Sequence, residues 1–323
     1  MKKTLLLSAL LISLSLFNAQ AVKKMAYITD PAQATYANDT KILPMFKADA
    51  NFTVTEITAT TAGQDLTGYD LIVIAEPAGS AAPMVLACKG INKPVLNMKV
   101  FAYKTGTTTW AWVSANANIV DNTTSQNVLV KKPNHSIFAG LNLTAGSTLQ
   151  MVTTASGTKG INGVTAYLTV VGTPDTLATV KDATTGLDAT TGQLSIMEFP
   201  VGSSVNGTTI PQKFIQIGIS GTSYANVTDA ALTVIKNAAY YVADITSDVK
   251  TVSSSLPVTQ TTKELKVDTN ENLNLSIYSA SGQRISQATG QTISIDNLNP
   301  GVYVLKMTNG NGLNQTYKFS KRI

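Results

Sequence analysis

The chain has 323 residues, 44% of them hydrophobic, which is more than one ordinary domain needs and enough for a sizeable core. Its formal net charge of +5 is unevenly placed: Val22 to Thr262 carries fifteen lysines against fifteen acidic residues, whereas Lys263 to Ile323 carries seven basic against four acidic. The larger part therefore lacks the basic footprint of a nucleic-acid partner, and the single cysteine, Cys88, excludes an intrachain disulfide.

The first twenty-one residues read as a secretory signal peptide. Lys2 and Lys3 precede an apolar run from Leu5 to Phe17 broken only by serines, and Ala19-Gln20-Ala21 supplies the small-x-small cleavage pattern. The run is too short for a transmembrane anchor, and no later stretch reaches spanning length.

From Val22 to Ile245 the pattern is that of an α/β domain. Lys24–Thr29 is a short apolar run closed by Asp30-Pro31. A helical segment from about Tyr36 to Ala50 follows, with Pro44 predicting a kink or a late start, and Phe52–Ile57 is the next strand. Tyr69–Ala75 is a continuous β-branched run of the kind covered on both faces of a parallel sheet, and Glu76-Pro77 ends it. Ala81–Lys89 forms a short helix tolerant of Pro83 and closed by Gly90, and Lys93–Met98 is another buried strand. This rhythm predicts a doubly wound sheet.

Between Asn118 and Phe199 the strands shorten and alternate with Gly, Asn, Thr and Pro, which predicts a β-rich, antiparallel insertion or continuation. Lys213–Ile219 alternates cleanly, and Val227–Val242 is an amphipathic helix capped by Asn226 or Thr228. Residues 246–262 lose periodicity and read as a linker. Lys263 to Ile323 alternates again: Leu273, Leu275 and Ile277 share one face, and Ile293, Ile295, Tyr303, Leu305 and Met307 repeat the pattern. A small all-β sandwich is expected.

That tail resembles the type A C-terminal sorting domain of type IX secretion cargo. The residues carrying the resemblance are Leu273, Leu275, Ile277 and Tyr278, the Ser281-Gly282 turn, Ile293–Leu298 leading into Pro300-Gly301-Val302-Tyr303-Val304-Leu305, and the basic finish Lys318, Lys321 and Arg322. The resemblance implies a sorting signal that includes Gly282, Gly301, Tyr303, Lys318, Lys321 and Arg322. It also implies an outer-membrane translocon as partner, and a protein that is secreted or held at the outer cell surface.

The larger domain resembles flavodoxin-like α/β domains related to class I glutamine amidotransferases, in particular the trehalose-utilisation-like branch. Gly68–Ile74, Lys93–Leu96, Asn134–Leu141 and the closing strand and helix carry this resemblance. The amidotransferase triad is absent by spacing: Cys88 lacks the flanking glycines of a nucleophile elbow, and His135, the sole histidine, has no acidic residue two positions on. In Gly218-Ile219-Ser220-Gly221-Thr222 the last position departs from a serine elbow, and the segment reads as a strand end.

One His and one Cys without a carboxylate cluster give a metal nothing to hold, and no phosphate loop or dinucleotide fingerprint points to a cofactor. Four side chains are candidate ligand contacts. Glu76 stands at the carboxyl end of the strongest strand, where open α/β sheets bind ligands. His135 is a possible contact with a core or loop role as its competitor, and Trp110 and Trp112 form either an aromatic platform for sugar or peptide or part of the core. The sequence thus points to a surface-exported binding or scaffolding module, with an extracellular glycan or protein as ligand. The rival is a carbohydrate-active hydrolase using carboxylates around Glu76, such as Asp30 and Glu198.

Overall fold

The computed structural model describes residues 21–121, 125–153, 160–182, 188, 192–245, 256–279, 283–309 and 314–321. They separate into two compact units. One takes in the described residues up to Lys132 and those from Gly146 to 245, and the other takes in Pro133–Ala145 and the described residues from 256 onward.

The large unit is mixed α/β. In chain order it contains β1 (Lys23–Thr29), α1 (Ile42–Lys47), β2 (Phe52–Thr58), β3 (Leu71–Ile74), α2 (Pro83–Ala87), β4 (Val95–Asn97), β5 (Ile119–Asp121), β6 (Asn127–Val130), β7 (Thr148–Gln150), β8 (Asn162–Val164), β9 (Val170–Val171), β10 (Asp175–Val180), β11 (Leu194–Phe199), β12 (Ser204–Val205), β13 (Thr208–Thr209), β14 (Phe214–Ile217) and α3 (Asp229–Val242). Strands β2-β1-β3-β4-β14 pair in parallel in that order, and β11, β10, β6 and β7 extend the same sheet antiparallel from β14. The stretch from Asn118 to Phe199 is therefore largely a continuation of the main sheet. β9, β12 and β13 form a small sheet of their own.

Both faces of the parallel strands are covered. All four residues of β3 are wholly buried, which follows from a strand with neighbours on either side and layers above and below. On one face α1 and α3 pack, and the rings of Tyr27, Phe46, Phe52 and Tyr240 follow one another at centroid distances of 6.2, 5.8 and 5.5 Å. Pro44 sits in the first turn of α1, so the helix starts late at Ile42 and the expected earlier turn is a 3-10 segment, Ala34–Asn38. The Thr228 side chain caps α3 by accepting the Ala231 amide at 3.0 Å.

On the other face Ala26, Ile28, Ile72 and Ile74 meet Met84 and Val85 of α2 and an aromatic cluster. There Trp112 stacks on Tyr103 at 4.9 Å and meets Trp110, Phe199 and Phe214 at 4.8, 5.8 and 5.6 Å. Both indoles are 0% exposed, so the aromatic-platform reading of Trp110 and Trp112 is corrected: they are core. Neither lies in a strand. Ala111 between them adopts φ 52°, and Asn206 Nδ2 donates to its carbonyl at 2.8 Å, which holds both rings inward.

In the second unit, His135 caps the 3-10 turn Ser136–Phe138. The β-rich region is β15 (Val258–Gln260), β16 (Glu264–Val267), β17 (Leu273–Ser279), β18 (Arg284–Gly290), β19 (Thr292–Ser294), β20 (Gly301–Thr308) and β21 (Asn314–Lys321). They form an antiparallel sheet β15-β16-β19 and another, β18-β17-β20-β21. Leu265, Val267, Leu275, Ile277, Ile293, Leu305 and Phe319 share one apolar core between these strands. Residues 258–260, expected within the linker, are instead a strand: Val258, Thr259 and Gln260 pair with Val267, Lys266 and Leu265. The linker expected over 246–262 thus lies mostly outside the described residues, as does the signal peptide.

Trp112→Ala should lower stability by about 3–5 kcal/mol in urea denaturation, the usual cost of deleting a buried aromatic side chain. Iodide should leave the native tryptophan emission unquenched, because neither indole meets solvent.

Candidate functional site at the carboxyl edge of the parallel strands

Glu76 follows β3 by two residues, and Lys99 follows β4 by two. Parallel pairing of β3 with β4 brings both to the same edge, where Lys99 Nζ donates to Glu76 Oε1 at 3.0 Å and to the Glu76 carbonyl at 2.7 Å. Their side chains are 8% and 13% exposed, so this is a buried ion pair. Burial pushes the Glu76 carboxyl above its ordinary value; the Lys99 charge and hydrogen bond and the Gly221 amide oppose that rise, and the charge of Asp121 adds to it.

Beneath the pair runs a buried polar chain. Asp39 accepts the Tyr27 hydroxyl and the Leu43 amide, and the Tyr27 and Tyr224 hydroxyls are hydrogen-bonded, while Tyr224 also reaches Met98 Sδ at 3.4 Å. Beside the pair, β14 leads into the loop Gly218–Gly221. A Cβ on Gly221 would lie 2.0 Å from Glu76 Oε2 and 2.8 Å from Thr35 Cγ2, and one on Gly218 would lie 2.1 Å from the Asn162 carbonyl oxygen. The loop therefore has no room for side chains at these two positions. Glu76 Oε2 lies against the Gly221 backbone, and Asn162 Oδ1 and Thr29 Oγ1 are buried with no hydrogen-bond partner among the described residues. Each such orphan costs about 1–3 kcal/mol, more where it carries charge.

Most of the other candidates have partners of their own. Glu198, in β11, lies three strands away, about 14 Å at ~4.8 Å per strand, and accepts the Tyr241 hydroxyl. Asp30 reaches the same edge but turns back on its own loop, accepting Ala32 N at 3.0 Å and Gln33 Nε2 at 3.3 Å. His135 belongs to the second unit, where its Nδ1 accepts the Ile137 amide at 3.4 Å. Cys88 ends α2 buried, and burial pushes its thiol up to about 12, so the nucleophilic thiolate is suppressed at neutral pH. Ser220 Oγ meets Thr222 Oγ1 at 3.3 Å, at the end of β14 as expected. Among the described residues no three His, Cys, Asp or Glu side chains group to hold a metal.

Lys99, Asn162 and Asp121 were not singled out in the sequence. For Lys99 a signal existed: it stands as far beyond its strand as Glu76 does beyond β3. Asn162 and Asp121 join the site through the β5–β8 ladder, which pairs Asp121 with Asn162 and which no local pattern announces.

In the tail, Gly301 opens β20 opposite Lys321, and the Tyr303 ring stacks on Phe319 at 5.7 Å while its hydroxyl donates to the Asn299 carbonyl at 2.8 Å. Lys318 is exposed on β21, and Lys321 Nζ donates to the Thr262 carbonyl at 2.5 Å. Gly282 and Arg322 lie outside the described residues.

Residues 260–322 match the family model of the secretion system C-terminal sorting domain. The sorting domain directs this chain through the type IX secretion machinery to the cell surface or the extracellular space. No helix among the described residues is long and apolar enough to cross a membrane. No curated protein matches the chain. Among solved structures it is similar to a putative ThuA-like protein from Parabacteroides merdae ATCC 43184, with 11% identity and a TM-score of 0.41 over 72% of this chain and 92% of that one.

Gly221→Ala should force Glu76 or the 218–221 loop to shift and lower stability by about 1–3 kcal/mol in urea denaturation, as overpacking of a filled site does. Gly68→Ala, where a Cβ meets nothing within 4 Å, is the control and should leave stability nearly unchanged.

Proposed function

We propose that the chain is a type IX cargo whose large unit is a flavodoxin-like, amidotransferase-related module that binds or scaffolds at the cell surface without catalysis, delivered by a small β-sandwich. The parallel order β2-β1-β3-β4-β14, with layers on both faces, supports the flavodoxin-like assignment. The observation that carries the non-catalytic reading is what occupies the carboxyl edge: a buried Glu76–Lys99 ion pair takes the place where a nucleophile and base would stand. The sole histidine lies in the other unit and the sole cysteine is held protonated.

On this reading the tail acts as a folded address. A receptor such as the outer-membrane translocon would read β21, which pairs on one side with β20 and carries exposed Lys318. The fold of the tail depends on inward side chains such as Phe319, 4% exposed.

One observation favours the rival hydrolase. Glu76 has a raised pKa beside a second carboxylate, Asp121, a pattern shared by general acids of glycoside hydrolysis. Screening the purified protein for glycan hydrolysis alongside Glu76→Gln separates the two readings: no turnover is expected from either, and turnover that Glu76→Gln abolishes would replace the binding-module reading.

Removing residues 256–323 should leave the protein in the periplasm, and fusing them to a periplasmic reporter should carry the reporter to the surface, as read by protease accessibility on intact cells. Unchanged surface delivery after the deletion would sink the assignment of the tail.

A further inference from the structure

The four-stranded sheet of the tail turns one face into the small core, through Leu273, Leu275, Ile277, Leu305 and Phe319. Successive side chains of a strand point to opposite faces, so Tyr278 of β17, Val304 and Lys306 of β20 and Lys318 of β21 belong to the other, outward face. Register sets four residues in one row across the sheet: Arg284 of β18 pairs with Tyr278, Tyr278 with Val304, and Val304 with Lys318. Along β20 the same face continues with Val302, 45% exposed, on one side of the row and Lys306 on the other.

The row has an apolar centre and cationic ends. Tyr278 and Val304 are half-buried, whereas Arg284 and Lys318 are exposed. None of β17, β18, β20 and β21 contains an acidic residue; the tail's four, Glu264, Asp268, Glu271 and Asp296, lie in β16 and in the connections. Arg284, Lys306 and Lys318 form no ion pair with the described residues. The face is thus positive throughout and complementary to negative charge. Its geometry is fixed by the sheet: Arg284 and Lys318 stand three strands apart, about 14 Å at ~4.8 Å per strand. An aromatic and aliphatic centre inside a charged rim is the make-up of a protein interface, and Tyr and Arg are the residues most enriched where such interfaces bind hardest. An anionic membrane would answer to the charge but not to the spacing.

We propose that this outward face docks an acidic protein surface, one whose carboxylates flank an apolar strip. Arg284 and Lys318 meet the flanking carboxylates, and Tyr278, Val304 and Val302 cover the strip. Rim charges of this kind steer the encounter and fix its register, while the aromatic centre sets how long the contact lasts. The contact spans all four strands and so extends well beyond the β21 edge. The inference rests on the reading of the tail as a folded address, and names the chemistry of the receptor surface that reads it.

Charge reversal in the full-length chain tests this, with surface delivery read by protease accessibility on intact secreting cells. Arg284→Glu combined with Lys306→Glu leaves β21 untouched and should lower delivery at least tenfold. Lys263→Glu combined with Lys266→Glu makes the same change in charge at exposed residues outside this sheet and should leave delivery at the wild-type level. Wild-type delivery by the Arg284 and Lys306 pair, or an equal loss in the control pair, would overturn the assignment of the face. Should the reversed tails fail to fold, photo-crosslinking from benzoylphenylalanine in place of Val302 decides. An adduct mapped to an acidic segment of an outer-membrane protein is expected, and adducts with lipid alone, or none, overturn the proposal. The two readings fail differently: export that survives removal of residues 256–323 sinks the address itself, whereas export lost on that deletion but kept by the Arg284 and Lys306 pair removes only this face.

Discussion

Everything in the large unit follows from the complete burial of β3. Leu71, Ile72, Val73 and Ile74 point alternately to two faces, and none of the four reaches solvent. A strand of this kind needs hydrogen-bonded neighbours on both sides and apolar layers above and below. β1 and β4 provide the first; α1 and α3 on one face, and α2 with the Tyr103–Trp110–Trp112 cluster on the other, provide the second. Parallel alignment then puts the ends of β1, β3, β4 and β14 at one edge, and the residues that leave those ends are brought together however far apart they are in the chain.

That edge is where the fold tolerates what the core does not. Glu76 and Lys99 are taken out of water together, and the buried carboxylate is kept by its ion pair while burial raises its proton affinity. Removing one partner from such a pair leaves an uncompensated buried charge, so a single substitution at either position is costly. The glycines of the 218–221 loop belong to the same economy of space, since the loop backbone lies directly against Glu76 and Asn162. The second unit works on a different principle. Its longest strands run seven or eight residues in antiparallel pairs over a small core, and most of its outward positions, Lys318 among them, are polar.

Much of this was legible in the sequence because it is local. The β-branched run at Tyr69–Ala75, the late helix start imposed by Pro44, the Thr228 cap and the alternation of the tail each depend on neighbours within a few residues. The tail was the clearest case, since its alternation, turn and basic finish occur together in sixty residues. Trp110 and Trp112 were ambiguous for the same local reason. Two positions apart, they share a face if the chain is extended, but whether that face meets sugar or core depends on Ala111 at φ 52° and on Asn206, ninety-five residues away. The strand at 258–260 was hidden because three residues between serines and threonines show no period until Glu264–Val267 pairs with them.

The sequence by itself determined the class of each unit, the likeness of the tail to a sorting domain and an inventory of one His and one Cys. These rest on residue inventory and short-range periodicity, and a chain with one His and one Cys cannot acquire more by folding. Only the tertiary structure decided which polar residues form a site. Parallel pairing set Glu76 beside Lys99 and moved Glu198 three strands off, and the β5–β8 ladder carried Asp121 and Asn162 to the same edge. The physical reason is that strand register acts over long sequence separations, so the contacts of that edge exist only once the sheet has closed.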